Sequence, residues 1–191
     1  MAQHLPELWD TAIDITRNIQ SDSYRARALS EMAQHLPELW DSAIDITRNI
    51  QSDSYRASAL RAMAQHLPEH LWDSAIDITR NIQDDSDRAS TLSEVAQYLP
   101  EHLWGKTQEV IWNFSDRYYK ASALSGYLPY LKKRVITLTK WSDVIDALAY
   151  QDRKQLLLNF SKLQPIIINL GDKETFMATL QVIDEIHKQW P

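Results

Sequence analysis

The chain has 191 residues and a formal net charge of −6, and 44% of its residues are hydrophobic, which excludes a disordered protein. The absence of cysteine excludes disulfides, thiolate metal sites and cysteine nucleophiles. The acidic balance also disfavours a nucleic-acid partner, because the phosphate backbone attracts lysine and arginine.

A unit of 31 residues repeats from the first residue of the chain. Units 1–31 and 32–62 differ at four positions, unit 63–94 adds one residue (His70), and unit 95–126 is a diverged fourth copy. A fixed period of this length is typical of proteins built from stacked helical repeats. The sequence therefore predicts an all-α fold, an α-solenoid of stacked helical hairpins.

Each unit contains two amphipathic helical patterns separated by a Leu-Pro dipeptide. One pattern covers 23–36 and the next covers 37–50. The polar residues 21–23 are expected to cap the first of these helices with their side-chain oxygens. Pro37 is expected to be the first residue of the second helix, where its missing N–H costs nothing. The same structural role is assigned to the equivalent prolines, Pro68 and Pro100.

A tryptophan occurs at the same position of each unit and supplies its largest apolar area, of order 150–250 Å². We expect these indoles to lie between neighbouring hairpins and to dominate the stacking energy. The alternative is an exposed tryptophan ladder that binds a partner. The column comprises Trp9, Trp40, Trp72 and Trp104.

Polar residues also recur at fixed positions of the pattern that follows each Leu-Pro dipeptide. Repeats that read nucleic acid vary such residues from one repeat to the next, whereas these do not vary, so we expect no nucleic-acid partner. They are either solvated ladders of Asp–Arg pairs three residues apart or a surface that meets an extended or repetitive protein partner. The candidate partner-binding columns are Asp10/Asp41/Asp73, Asp14/Asp45/Asp77 and Arg17/Arg48/Arg80.

The histidine column His4/His35/His66 falls at the end of a predicted helix, where a cation interacts well with the helix dipole. Stacked helices lie roughly 8–10 Å apart, too far for these imidazoles to share one zinc ion with bonds of ~2 Å. Serine, histidine and aspartate recur in register with the repeat, as structural residues would. We therefore expect no metal, no cofactor and no enzymatic activity.

The two ends of the array differ. A partial fifth copy, 127–140, is expected to open a shortened helix at 126–129, and 141–191 is expected to form a helical C-terminal cap over the last apolar face. Met1 aligns with the middle of a helix, which favours a piece cut from a longer protein. We expect a homodimer through the uncapped first hairpin, with bare apolar residues Leu8, Trp9, Ala12, Ile13, Ile15 and Ile19.

No apolar run approaches the ~18–20 residues that span a bilayer, and the first residues do not resemble a secretory signal. We therefore expect no membrane partner and a cytoplasmic location.

The repeat "Arg-Ala-x-Ala-Leu-x-x-Met-Ala-x-x-Leu-Pro-Glu" resembles the helical repeats of cyanobacterial and actinobacterial signalling proteins, which follow NACHT- or STAND-type NTPase domains. The tail is similar to theirs in Asp152-Arg153-x-x-Leu156-Leu157, Leu163-x-Pro165-Ile166, Leu170-Gly171 and Trp190-Pro191. The repeat length is also similar to that of other hairpin repeats (tetratricopeptide, HEAT), without the Trp-Leu-Gly-Tyr pattern of the former. The resemblance implies a sensor or protein-binding arm of a larger signalling protein. The alternative is a structural spacer or self-assembly element with no specific ligand.

Overall fold

The computed structural model describes residues 6–35 and 39–130, with positions 144, 147–148, 154, 158–159, 162–164, 167–168 and 177. These residues form helices and connecting turns and contain no strand, which confirms the predicted all-α class. The α-helices are α1 (Pro6–Asn18), α2 (Asp22–Met32), α3 (Trp40–Arg48), α4 (Asp53–Ala64), α5 (Trp72–Arg80), α6 (Asp85–Val95), α7 (Trp104–Trp112) and α8 (Arg117–Tyr127). Short 3-10 turns cover Ala33–His35, Glu69–Leu71, Glu101–Leu103 and Leu128–Tyr130.

The helices form two layers. The first hairpin is α1 with α2, and the second, third and fourth are α3 with α4, α5 with α6 and α7 with α8. The even-numbered helices pack on one another in chain order, and the odd-numbered helices form a second layer with less extensive contacts. This arrangement is the stacked helical solenoid that the 31-residue period predicts.

Small side chains allow the even-numbered helices to approach closely. One alanine column and one leucine column are buried at the same positions of all four helices. They are Ala26, Ala57, Ala89 and Ala121, and Leu29, Leu60, Leu92 and Leu124. Because alanine adds only a methyl group to the backbone, a helix with a buried alanine column can lie close to its neighbours.

Helices α6 and α8 lie very close together at Gly126. A Cβ atom at this position would overlap the Cα and carbonyl oxygen of Ser93, which are backbone atoms and cannot rotate away. Glycine is therefore required here by the contact between two helices. Gly105, in contrast, has open space where its Cβ would lie.

The prediction that each proline opens an α-helix is wrong in the third and fourth hairpins. Pro68 and Pro100 each precede a 3-10 turn, and the α-helices begin at Trp72 and Trp104. The third copy carries the extra residue His70. A 3-10 turn, with three residues per turn, accommodates this insertion, and the tryptophan that follows stays buried. In the first hairpin, α1 does begin at Pro6, and Pro37 lies outside the described residues.

The predicted fifth helix is also wrong at its first residues. Gly126 and Tyr127 belong to α8, and Leu128–Tyr130 form a 3-10 turn. Three residues are missing here relative to the third copy, so the chain has no room for a loop between α8 and the Leu-Pro dipeptide. Residues 131–140 lie outside the described part.

The described positions of segment 141–191 contact the fourth hairpin. The Asn159 amide is buried and donates to the Ser125 hydroxyl at 2.8 Å, and Lys162 Nζ lies 3.5 Å from the Ser125 carbonyl oxygen. Five of these positions belong to the same hydrophobic core as the hairpins: Val144, Ala147, Leu148, Leu163 and Ile167. The cap over the last hairpin is a prediction to which these contacts lend support.

Candidate interaction surface

The predicted polar columns lie on the exposed side of the odd-numbered helices. Within each helix the second aspartate pairs with the arginine three residues later, with Nη1–Oδ1 distances of 3.5 Å for Asp14–Arg17, 3.0 Å for Asp45–Arg48 and 3.3 Å for Asp77–Arg80. These side chains are 45–70% exposed. Ion pairs that are this accessible to water contribute little to stability. Asp10, Asp41 and Asp73 are exposed as well.

The asparagine beside each pair has a local structural role. The side-chain amide Nδ2 of Asn18, Asn49 and Asn81 donates to the carbonyl oxygen four residues earlier, at 2.8–2.9 Å. That carbonyl lies in the last turn of the helix, where the helix itself supplies fewer donors. Repetition of this asparagine therefore follows from the way each odd-numbered helix ends.

A second Asp-x-x-Arg pair, at the start of α2 and of α4, connects neighbouring hairpins. Asp22 Oδ2 accepts hydrogen bonds from the backbone N–H groups of Gln51 and Ser52, at 2.9 and 2.8 Å. Asp53 Oδ2 accepts in the same way from Gln83 and Asp84, at 2.7 and 2.9 Å. One carboxylate thus binds two amides of the next hairpin's turn. We call this arrangement the inter-repeat clamp.

The arginine of each pair completes the clamp. Arg25 donates to the Ile19 carbonyl of its own hairpin at 2.6 and 3.0 Å and to the Asn49 carbonyl of the next at 3.4 Å. Arg56 repeats the pattern with the carbonyls of Ile50 and Asn81, at 2.8 and 3.3 Å. Each arginine also pairs with the clamp aspartate, so the charge of the carboxylate is balanced where both are largely removed from water.

The expected capping role of residues 21–23 is corrected by these contacts. Ser21 and Ser52 are the N-cap residues of α2 and α4, but neither side chain bonds a helix amide. The adjacent aspartates bind the next hairpin instead. Side-chain capping does occur in the later copies, where Asp84 accepts from the Asp87 N–H and Asp116 from the Tyr118 N–H.

The clamp is replaced in the fourth hairpin. Arg117 and Lys120 occupy the positions of Asp53 and Arg56, so this hairpin has no carboxylate to bind the amides of a further turn. On the side facing the third hairpin, the guanidinium of Arg88 lies over the ring of Phe114 at 4.3 Å. Arg88 thus makes a cation–π contact with the next hairpin, whereas Arg25 and Arg56 donate to a carbonyl of the next hairpin.

Charged side chains also join the third hairpin to the fourth. Lys106 Nζ pairs with Asp73, so the third member of the first aspartate column has a partner on the next hairpin. His102 Nδ1 lies 3.6 Å from Glu69 Oε1 at the Leu-Pro edge. A groove of about 690 Å³ opens beside this pair, lined by Leu67, Glu69, Trp72, Tyr98, Pro100, Glu101 and His102.

The tryptophans divide into two environments. Trp40, Trp72 and Trp104 are buried in the core, whereas Trp9 is half-buried and stacks on the ring of His35, with centroids 5.3 Å apart. Because Trp9 belongs to the first hairpin, no earlier hairpin covers it among the described residues. His35 is the last residue of the 3-10 turn that follows α2, and its ring stacks on the indole there; its interaction with the helix dipole stays a prediction.

Three further observations bear on function. No group of three or more His, Cys, Asp or Glu side chains in this part of the chain could hold a metal ion. None of the described helices is both long enough and apolar enough to cross a membrane. Comparisons with models of protein families, with curated proteins and with solved structures found no match to this chain.

Proposed function

We propose that the chain is a non-catalytic, protein-binding solenoid, and that its binding surface is the polar face of α1, α3 and α5. The nine column residues on this face comprise six aspartates and three arginines, so the face is acidic. Its partner is then a basic segment of another protein.

One observation carries this proposal. The repetition of the alanine and leucine columns, the asparagines and the clamp is explained by packing and hydrogen bonds within the array. The exposed columns are repeated just as faithfully, yet their side chains contact little beyond their own helix in the first two hairpins. Binding gives these positions a physical reason to repeat.

The spacing of the columns also favours an extended partner. Stacked helices are about 8–10 Å apart, so Asp10, Asp41 and Asp73 present carboxylates at roughly that interval. Three residues of a polyproline II segment span about 9 Å. A peptide with lysine or arginine at every third residue therefore matches the column.

A pull-down from a lysate of the source organism tests the proposal. The bait is the full chain, compared with the triple variant Asp10/Asp41/Asp73→Asn, which removes three charges without changing side-chain size. The control Glu31/Glu94/Glu101→Gln removes three charges elsewhere. We expect basic proteins to be retained by the wild type and the control and lost by the triple variant, at equal melting temperatures. Identical sets of retained proteins from all three baits would refute the proposal.

The resemblance to NACHT- and STAND-associated repeats extends this proposal to a sensing arm of a larger signalling protein. The competing candidate is a structural spacer, which the inter-repeat clamp favours because it fixes the distance from one hairpin to the next. If the chain is a spacer, replacing the exposed column residues should change neither the set of proteins retained in the pull-down nor the result of any other binding assay.

A further inference from the structure

The first hairpin presents an apolar face that is covered in every later hairpin. Ile15 is 60% exposed, whereas the equivalent Ile46 and Ile78 are 3% and 2% exposed. Leu8 is 58% exposed, and the equivalent Leu71 is 6% exposed. The bare face is smaller than the six residues expected from the sequence, because Ile13 is buried and Trp9, Ala12 and Ile19 are half-buried.

The same end of the molecule presents backbone groups that the clamp binds in later hairpins, although the Asn18 carbonyl accepts from Gln20 Nε2 within its own turn at 3.2 Å. Gln20 and Ser21 occupy the turn positions whose amides, in the second and third hairpins, donate to the clamp aspartate of the preceding hairpin. Among the described residues, no carboxylate reaches the amides of Gln20 and Ser21. The carbonyl of Asn18 likewise lacks the arginine that binds its equivalents Asn49 and Asn81.

These groups lie on one side of the first hairpin and form a socket, which we define by Leu8, Ile15, Asn18, Gln20 and Ser21. A surface groove of about 450 Å³ runs along α1 beside Ile15 and Asn18. The socket thus offers apolar area, two N–H donors and one carbonyl acceptor. Its equivalents in the second and third hairpins bind the Asp-x-x-Arg clamp and the apolar surface of the hairpin before them.

We propose that the socket binds a helical hairpin of this same repeat whose Asp-x-x-Arg pair is open. The carboxylate of the incoming hairpin accepts from the amides of Gln20 and Ser21, and its arginine donates to the Asn18 carbonyl. Its apolar surface covers Ile15 and Leu8. Asp14 of the second aspartate column borders the same groove, whereas Asp10, which the pull-down variant replaces, is not among the residues that line it.

A second copy of this chain does not supply such a hairpin. Asp22 and Asp53 already bind the turns of their own neighbours. The Asp85–Arg88 pair of the third hairpin is covered by the fourth, since Arg88 lies over the Phe114 ring and α6 packs on α8, and the fourth hairpin carries Arg117 and Lys120 at the clamp positions. The homodimer predicted from the sequence would bring two sockets together. Their four amides would then face each other with no carboxylate between them.

The test measures the reactivity of a single cysteine, which is specific because the chain has none of its own. The full chain with Ile15→Cys is labelled with a thiol reagent, alone and with a peptide of residues 6–35, which carries an open Asp22–Arg25 pair. We expect the peptide to slow labelling by about tenfold or more, because a covered thiol reacts only during local opening. A peptide with Asp22→Asn should protect about tenfold less well, since it lacks the charged acceptor.

A second arm decides the matter if the peptide does not fold by itself. One extra copy of residues 1–31 is fused in register ahead of Met1 of the Ile15→Cys chain. We expect the same protection and a higher melting temperature, both reduced when the added copy carries the Asp22→Asn substitution. The control Ser58→Cys, exposed on α4, should react equally in every sample. Unchanged reactivity of Ile15→Cys in the fused chain would overturn the proposal, as would protection of the unextended chain by its own dimerisation.

Discussion

Replacing Asp53 should weaken the array far more than replacing Asp45, although the two residues have the same sequence context. Each is an aspartate three residues before an arginine, paired with it within one helix. Asp45 and Arg48 are 64% and 52% exposed, whereas Asp53 and Arg56 are 20% and 13% exposed. Asp53 also accepts from two amides of the next hairpin.

The magnitude follows from the contacts that are lost. A hydrogen bond to a charged group contributes about 1.5–3 kcal/mol, and Asp53→Ala removes two of them together with the arginine pair. The amides belong to exposed residues, Gln83 and Asp84, so water replaces part of what is lost. We therefore expect a cost of about 2–4 kcal/mol for Asp53→Ala and a change within about 0.5 kcal/mol for Asp45→Ala.

Equilibrium unfolding in urea, followed by far-UV circular dichroism, measures both variants against the wild type. Because repeats are coupled through their neighbours, Asp53→Ala should also broaden the transition as the first two hairpins separate from the rest. Equal free energies of unfolding for the two variants would refute the clamp. The hydrogen bonds to the next hairpin would then have no energetic consequence.

Three further predictions concern the core, and unfolding in denaturant measures each of them. Trp40→Ala should lower the free energy of unfolding by about 3–5 kcal/mol, the range for emptying a large aromatic site. Trp9→Ala should lower it by less, because Trp9 is half-buried, and equal losses would contradict the stacking scheme. Gly126→Ala should destabilise the chain by about 1–3 kcal/mol, because the added methyl group overlaps the backbone of α6. Gly105→Ala should be neutral or stabilising by up to about 1 kcal/mol. A Gly126→Ala variant as stable as the wild type would mean that α6 and α8 separate freely. Burial raises the pKa of Tyr127. In the unfolded chain the Tyr127 hydroxyl loses its proton near pH 10, whereas in the folded chain it keeps it. The free energy of unfolding should therefore fall above about pH 10, by up to about 1.4 kcal/mol per pH unit. Tyr127→Phe should remove that dependence, and an unchanged pH profile in this variant would exclude the tyrosine as its source.

Several features of the candidate sites could be read from the sequence because they are local. The Asp14–Arg17 spacing predicts a pair on one helix surface, and the structure has that pair in three copies. The clamp carries the same spacing, so the sequence offered a signal for the pair within the helix. The sequence offered no signal that the clamp aspartate also binds backbone amides of the next hairpin, about thirty residues away.

The sequence by itself determined that the chain repeats, that each unit forms two amphipathic helices and that the fold is all-α. These properties depend on a period of 3.6 residues and on a repeat length, both of which are visible in one dimension. The tertiary structure decided which Asp-x-x-Arg pair connects hairpins, why glycine is required at position 126, and that Ile15 is exposed while the identical Ile46 is buried. Identical sequences meet different surroundings at different places in the stack, and only the packed array specifies those surroundings.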